Sequence, residues 1–198
     1  MSSARESEDP IAVVGDALRR LLADGVAERT GESPDVVALG SPADRSTEAG
    51  VRLGVALYRI SRSGRNGDSG RRIERTDQGQ TTRKNPPLSL DLRYLLTGYP
   101  ARESSEGSAG LLGTAMGVLH DTPTLDPALP ERMTSETPVR VSFESAPPEE
   151  RAWLWESCPE TPFRPSVGYR VGPVEIESRI ESAVEHVTER RASLARSE

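Results

Sequence analysis

The sequence predicts an α/β (α+β) fold in which a mixed, mostly antiparallel sheet is flanked by two to three helices. Three observations support this prediction. Residues 88–94 alternate leucine or tyrosine with serine, aspartate and arginine, which is the period of a half-buried strand. Residues 11–22 and 112–119 instead place apolar side chains three and four positions apart, the spacing of one helix face. At 198 residues the chain is long enough to bury a core.

The first helix is predicted to begin at Asp9 and Pro10, after a polar N-terminus over 1–9. An aspartate carboxylate caps the free N–H groups of a first turn, and the fixed φ of proline suits the first helical position. Gly25 favours a helix end at about Asp24. The apolar face of this helix consists of Ile11, Val14, Leu18, Leu21 and Leu22.

Two strands follow, over 35–40 and 51–60. In the second strand, alternation places Val51, Leu53, Val55 and Leu57 on the core face. Residues 61–85 are predicted to be one long polar loop, because they contain almost no apolar side chains. The loop carries arginines that can grip an acidic partner or phosphates, among them Arg71, Arg72 and Arg75.

The next strand covers 88–99, with Leu88, Leu90, Leu92 and Tyr94 facing the core. A helix is expected from the polar segment 103–109 to His120, because Pro123 restricts the backbone of Thr122 and ends the helical run. Glycines 113 and 117 in this helix are expected to let another backbone approach closely.

Three further elements are predicted after a proline-rich loop. Residues 139–144 form a strand with Phe143 facing inward, and a short helix begins at Pro148. That helix carries Trp153 and Trp155, two positions apart, so they cannot share one face. Two arrangements stay open: one tryptophan enters the core while the other lies near the surface, or both pack on the strand-and-loop edge of their own domain. The last strand, over 167–176, is expected to break at residues 172–173, a glycine and a proline.

The chain then becomes strongly charged, and a helix or arm is predicted over 177–198. Its apolar residues recur at helical intervals and form a narrow face suited to docking on another subunit. Together with one tryptophan and the loop arginines they are the candidate interface residues: Ile176, Ile180, Ala183, Val187, Leu194, Trp155, Arg71, Arg72 and Arg75.

Composition restricts the class of partner. The net charge of −6 disfavours general nucleic-acid or anionic-membrane binding. Apolar residues make up only 34% of the chain, so part of it is expected to await a partner. A single cysteine, Cys158, cannot form an internal disulfide. The polar N-terminus and the lack of long apolar runs predict a cytoplasmic protein without a membrane span.

No catalytic or cofactor motif is present in the sequence. His120 beside Asp121 is the one hydrolase-like candidate, but no activated serine context accompanies it, and a histidine at a helix C-terminus also favours the helix dipole. Two distant histidines and one cysteine do not predict a metal site. No glycine pattern for phosphate binding links a strand to a helix. We therefore expect no enzyme activity, no cofactor and no metal.

Several blocks, taken in order, resemble the cap or sheath-terminator proteins of extracellular contractile injection systems of the antifeeding-prophage and virulence-cassette type. The most specific are Pro-Pro-Leu-Ser-Leu-Asp-Leu-Arg-Tyr-Leu-Leu-Thr over 86–97 and Leu-His-Asp-Thr-Pro over 119–123. The resemblance spans about 10–176, the expected cap domain. The other blocks are 21–22, 55–60, 111–116, 154–155 and 165–174.

The resemblance implies a non-enzymatic, tail-terminator-like subunit. Such subunits form a ring, expected to be a hexamer, that ends the inner tube and sheath, fixes their length and anchors the last sheath layer. The implied partners are copies of the same chain, the sheath protein and the inner tube protein, in a particle assembled in the cytoplasm and able to be released. Two alternatives stay open: a tail terminator or completion protein of a contractile phage or prophage, and a small hydrolase-like enzyme using His120.

Overall fold

The computed structural model of the chain describes residues 9–46, 49–64, 72–75, 81–100, 106–125, 138–159, 161–176, 178 and 181–183. These segments contain both helices and strands. Their bounds are α1 Pro10–Thr30, β1 Val37–Leu39, α2 Pro42–Ser46, β2 Leu53–Arg62, β3 Arg72–Arg75, β4 Thr81–Lys84, β5 Leu88–Gly98, α3 Glu106–Asp121, β6 Arg140–Glu144, α4 Pro148–Glu156, β7 Ser166–Ile176 and β8 Glu181–Ala183.

The main sheet has five strands in the order β1-β2-β5-β7-β6. β1 is parallel to β2, and the other three pairs are antiparallel. One face of the sheet shares a continuous apolar core with α1 and α3, in which Leu18, Leu53 and Leu92 are fully buried. The predicted mixed, mostly antiparallel sheet flanked by helices is therefore confirmed. A second sheet has the order β3-β4-β8.

Helix α1 begins as predicted but ends later. The Asp9 carboxylate accepts a hydrogen bond of 3.0 Å from the Ile11 N–H, and the helix ends at Gly31, whose φ of 72° is readily adopted by glycine. The predicted end at Asp24 is wrong because Gly25 is a packing residue. A Cβ there would lie 2.6 Å from Cγ1 of Val118 in α3, so glycine lets the two helices cross closely.

The expected role of the glycines in α3 is also wrong. At Gly113 an added Cβ would meet nothing within 4 Å, and at Gly117 it would meet the guanidinium of Arg29 rather than backbone. The close approach between α1 and α3 therefore depends on Gly25. The predicted core face of α3 is correct, since Leu112, Ala115 and Leu119 are buried.

Three apolar side chains predicted to be inside are exposed. Leu57 is 39% exposed because the β2–β5 register shifts between Leu57 and Arg59, which turns the strand beyond that point. Leu88 is exposed at the first position of β5. Phe143 lies on the outermost strand of the sheet, where its ring packs edge-on against Tyr169 with centroids 5.8 Å apart.

Strand β7 does not break at residues 172–173 as predicted. It runs continuously from Ser166 to Ile176 with a cis Gly172–Pro173 bond. Its register against β5 shifts between the pairs Leu92–Val171 and Leu90–Val174. This irregularity accommodates a proline, which has no backbone N–H to donate to the ladder.

The segments 61–85 and 177–198 both differ from their predictions. β2 continues to Arg62, and β3 and β4 form an antiparallel pair within the predicted loop. Glu181–Ala183 is a strand paired with β4, so a helix there is wrong. The free backbone edge of β4 supplies hydrogen-bond partners that outweigh helical periodicity. Ile176 accordingly ends a strand, whereas Ile180, Val187 and Leu194 lie outside the described residues.

Two glycine-to-alanine substitutions should have opposite effects on stability. At Gly98 a Cβ would lie 2.5 Å from the carbonyl oxygen of Ser108, which is backbone and cannot rotate away. We expect Gly98→Ala to lower the free energy of unfolding by about 1–3 kcal/mol through overpacking. Gly113→Ala should raise it by about 1 kcal/mol, because alanine favours a helix and the space is open.

Urea unfolding of both variants and the parent chain measures these effects. Gly113→Ala serves as the control, since it adds the same methyl group without a steric conflict. Equal stability of the two variants would contradict the close packing of β5 against α3.

Candidate functional site

A groove lies beside the unpaired part of β2. β1 pairs with β2 only at Leu53–Val55, so residues 56–62 have β5 on one side and no other described strand on the opposite side. The groove has a volume of about 1630 Å³. This exceeds the roughly 300–1,000 Å³ of small-molecule pockets, so its size suits a polypeptide segment.

The lining of the groove comes from several elements. Residues of α1, residues 39–43 after β1, β2, β5, residues 122–125 after α3 and α4 all contribute to it. Most of the lining is apolar, and both faces of β2 take part. Representative lining side chains are Ile11, Leu21, Leu57, Tyr58, Trp153 and Leu154.

The polar lining is mainly acidic and contains no described nucleophile–base pair. α1 contributes Asp9, Asp16 and Asp24 against one cation, Arg20. The thiol of Cys158 lines the groove, but His120 does not. His120 is exposed at the C-terminal end of α3. The arrangement required by the hydrolase alternative, a pocket joining His120 to a nucleophile, is therefore not formed by the described lining residues.

A polar cluster lies on the sheet face opposite the core. Arg93 of β5 binds Glu144 of β6 in a bidentate manner, with Nε–Oε2 at 2.7 Å and Nη2–Oε1 at 3.0 Å. Its third nitrogen donates to Ser61 Oγ at 2.9 Å. The hydrogen bond that Arg93 donates to the Glu144 carboxylate raises the pKa of Arg93. Burial, followed by the charges of Glu150 and Glu144, raises the pKa of Tyr58 beside it.

This cluster has a structural role. β7 lies between β5 and β6, and Arg93 reaches across it to Glu144. Gly168 of β7 lets the backbone of β6 come close, since a Cβ there would lie 2.7 Å from the Glu144 carbonyl oxygen. The cations and carboxylates are already matched with one another, so the cluster fixes the three strands rather than presenting free charge.

An aromatic patch is formed by Trp155 and Phe163, while Trp153, on another face of α4, lines the groove. Trp155 packs against Phe163 with ring centroids 5.3 Å apart, while Trp153 is 60% and Phe163 73% exposed. The arrangement in which one tryptophan enters the core is wrong, because α4 has no fully buried residue. The indole Nε1 of Trp155 is buried without a hydrogen-bond partner among the described groups. Exposed aromatic side chains of this kind are enriched at protein interfaces.

The described interface candidates lie in four different elements, of which β3 and β8 belong to the same three-stranded sheet. Trp155 is in α4, Ile176 ends β7, Ala183 is in β8, and Arg72 and Arg75 are in β3. Arg71, like the three tail residues named above, lies outside the described part. Sequence reasoning missed the groove altogether. The available signal was the contrast in length between a very short first strand and a long second one, which leaves an edge unpaired.

The described residues form neither a metal-binding cluster nor a membrane-spanning helix. Among the described residues, no group of three or more histidine, cysteine, aspartate or glutamate side chains is placed to hold a metal ion. None of the helices in the same part of the chain combines the length and apolar character needed to cross a bilayer.

Two solved structures share this fold. One is described as the PVC sheath/tube terminator in extended state, from an extracellular contractile injection system; it is 16% identical, with a TM-score of 0.57 over 93% of this chain and 65% of that chain. The other is described as the anti-feeding prophage cap, the AFP tube terminating cap; it is 17% identical, with a TM-score of 0.60 over 91% of this chain and 60% of that chain. The chain thus spans less than two thirds of either protein.

Sequence comparison assigns the family. No curated protein sequence matches the chain. The family model for the Pvc16 N-terminal domain, however, matches residues 13–190, which is most of the sequence. The fold and the family agree with the resemblance stated from the sequence blocks. The chain belongs to the Pvc16 N-terminal domain family.

Proposed function

We propose that the chain is a structural subunit of a cap that ends the tube and sheath of a phage-tail-like contractile injection system. The observation that carries this proposal is the match of the Pvc16 N-terminal domain model to residues 13–190. Two solved structures with a similar fold, described as a sheath/tube terminator and a tube-terminating cap, support it over more than nine tenths of the chain.

The subunit acts by binding rather than by catalysis in this proposal. Its partners are further copies of itself in a ring, taken to be a hexamer, together with the sheath and inner tube proteins. The surfaces available for such contacts are the groove beside β2 and the aromatic patch. The ring assembles in the cytoplasm and stops growth of the tube, which fixes the particle length.

Deletion of the gene tests the proposal. Electron microscopy of purified particles should show tubes of variable length, and sheaths that are missing or contracted, because nothing anchors the last sheath layer. Expression of the intact chain in the deletion strain should restore a narrow length distribution. Uniform, extended particles in the absence of the chain would contradict the proposal.

A His120→Ala variant separates this proposal from the hydrolase alternative. His120 is exposed and lies outside the groove, so its loss should leave the particle length unchanged. Failure of this variant to restore normal particles, despite normal folding and abundance, would favour a chemical role for the imidazole.

A further inference from the structure

The unpaired edge of β2 has the geometry to receive an added strand. From Ala56 to Arg62 no described strand lies on its outer side, and the groove runs alongside the first part of this edge, residues 56–58. Exposed edges of this kind pair readily with extended segments of other chains. Leu57 and Tyr58, which are successive residues of β2, and Trp153 of α4 all line the groove. Successive strand residues point to opposite faces, so an inserted strand would meet apolar side chains with both of its alternating faces.

The charge of the groove favours a cationic strand. Its described lining carries three carboxylates and one guanidinium, all on α1 or on its N-cap residue, Asp9. Asp16 makes only long contacts, at 3.6 Å and 3.7 Å, with Arg20 and Arg19. Asp24 is exposed and forms no ion pair with any other described residue. Two carboxylates are thus available to a basic partner.

The same chain contains a basic edge strand. β3 and β4 together carry Arg72, Arg75, Arg83 and Lys84 against one acidic residue, Glu74, in a chain whose net charge is −6. β4 is paired on both sides, but β3 is at the edge of its sheet, in the order β3-β4-β8. The outer side of β3 therefore has no partner strand within the described part of the chain.

We propose that β3 of one copy adds to the β2 edge of a neighbouring copy, in the groove between α1 and α4. The inference rests on the proposed function, because a closed ring requires two different, mutually complementary surfaces on each subunit. The acidic groove and the basic β3 edge are such a pair. Repetition of this contact joins each subunit to the next, and the occupant of the groove is a second copy of this chain.

Steric block of the groove is the first test. Leu57→Arg places a long charged side chain in the groove, at a position that is already 39% exposed. Ile60→Arg is the matched control, since Ile60 is 48% exposed on the same strand but does not line the groove. In sedimentation velocity of the full chain, Leu57→Arg should weaken self-association by about tenfold or more, and Ile60→Arg should not.

Charge exchange is the second test and identifies the occupant. One variant carries Asp16→Arg and Asp24→Arg, and the other carries Arg72→Glu and Arg75→Glu. For each variant alone, the self-association constant should fall by about tenfold or more, because like charges meet at every interface. An equimolar mixture should recover it, since each groove then meets a β3 of opposite charge. A Glu28→Arg, Glu149→Arg variant, altered at exposed positions outside the groove, controls for net charge.

The outcomes distinguish this inference from the proposed function. Wild-type association in both charge variants, no recovery on mixing, or a parent chain that stays monomeric at every concentration would overturn the β3–β2 contact. Particle lengths in the deletion strain report separately on the capping role. A different result is that deletion of the gene alters the particle lengths while expression of either charge variant restores them fully. That result would support the capping role and show that the assigned β3–β2 contact is wrong.

Discussion

Leu18→Ala is expected to lower the free energy of unfolding by about 2–5 kcal/mol, the cost of removing a leucine side chain from a packed core. Leu18 is fully buried in the middle of α1 and belongs to the cluster that joins this helix to β2, β5 and β7. α3 packs against the same cluster, so the remaining side chains cannot easily close the cavity. Urea unfolding followed by circular dichroism measures the loss.

Leu88→Ala provides the matched control for this prediction. It removes the same atoms from a leucine that is 44% exposed at the start of β5. Its cost should be about 1 kcal/mol or less, because little apolar surface is returned to water. Similar losses for the two variants would contradict the assignment of the α1–sheet interface as the core.

Alkaline pH should destabilise the chain through Tyr94. Burial raises the pKa of Tyr94 to about 12 from 10.0, because the phenolate would be formed in an apolar setting beneath α1. The folded state thus holds the phenol proton more tightly than the unfolded state. The contribution of Tyr94 to the free energy of unfolding is fully present below pH 10. It is lost between about pH 10 and 12, at about 1.4 kcal/mol per pH unit.

The Tyr94→Phe variant isolates this contribution. Burial also raises the pKa of Tyr58 and of Tyr169, so part of the alkaline loss will persist in the variant. Between about pH 9 and 11.5 the parent chain should lose about 2 kcal/mol more than Tyr94→Phe. Urea unfolding at several pH values measures both curves. Parallel curves would show that Tyr94 does not titrate with a raised pKa.

Local sequence signals predicted the elements whose stability is local. The cap at Asp9, the start of α1 at Pro10 and the apolar alternation of Leu90, Leu92 and Tyr94 were all read correctly. In each case the relevant partner lies within a few residues, or the face is specified by a simple period. Side chains at the margins of the sheet were predicted to be buried but are exposed. A period of two residues assigns each side chain to one face of the sheet, but it does not show how much of that face the helices cover.

Glycine was the least reliable signal. Gly25 resembles a helix end, and glycines 113 and 117 resemble contact points, yet the contact is made by Gly25 with Val118. A glycine lacks a side chain in every context, so its sequence neighbours cannot reveal what approaches it. The close pair is brought together by the packing of α1 on α3, which lie more than 70 residues apart in the sequence.

By itself, the sequence determined the class of fold, the start of the first helix, the positions of the main strands along the chain and the family resemblance, because these depend on periodicity and on ordered blocks of residues. Tertiary structure alone decided that β1 is too short to cover β2, that Glu181–Ala183 pairs as a strand, and that a groove with an acidic lining lies beside the free edge. The physical reason is that backbone pairing and shared cavities join residues far apart in the chain, and no local pattern encodes which edge is left without a partner.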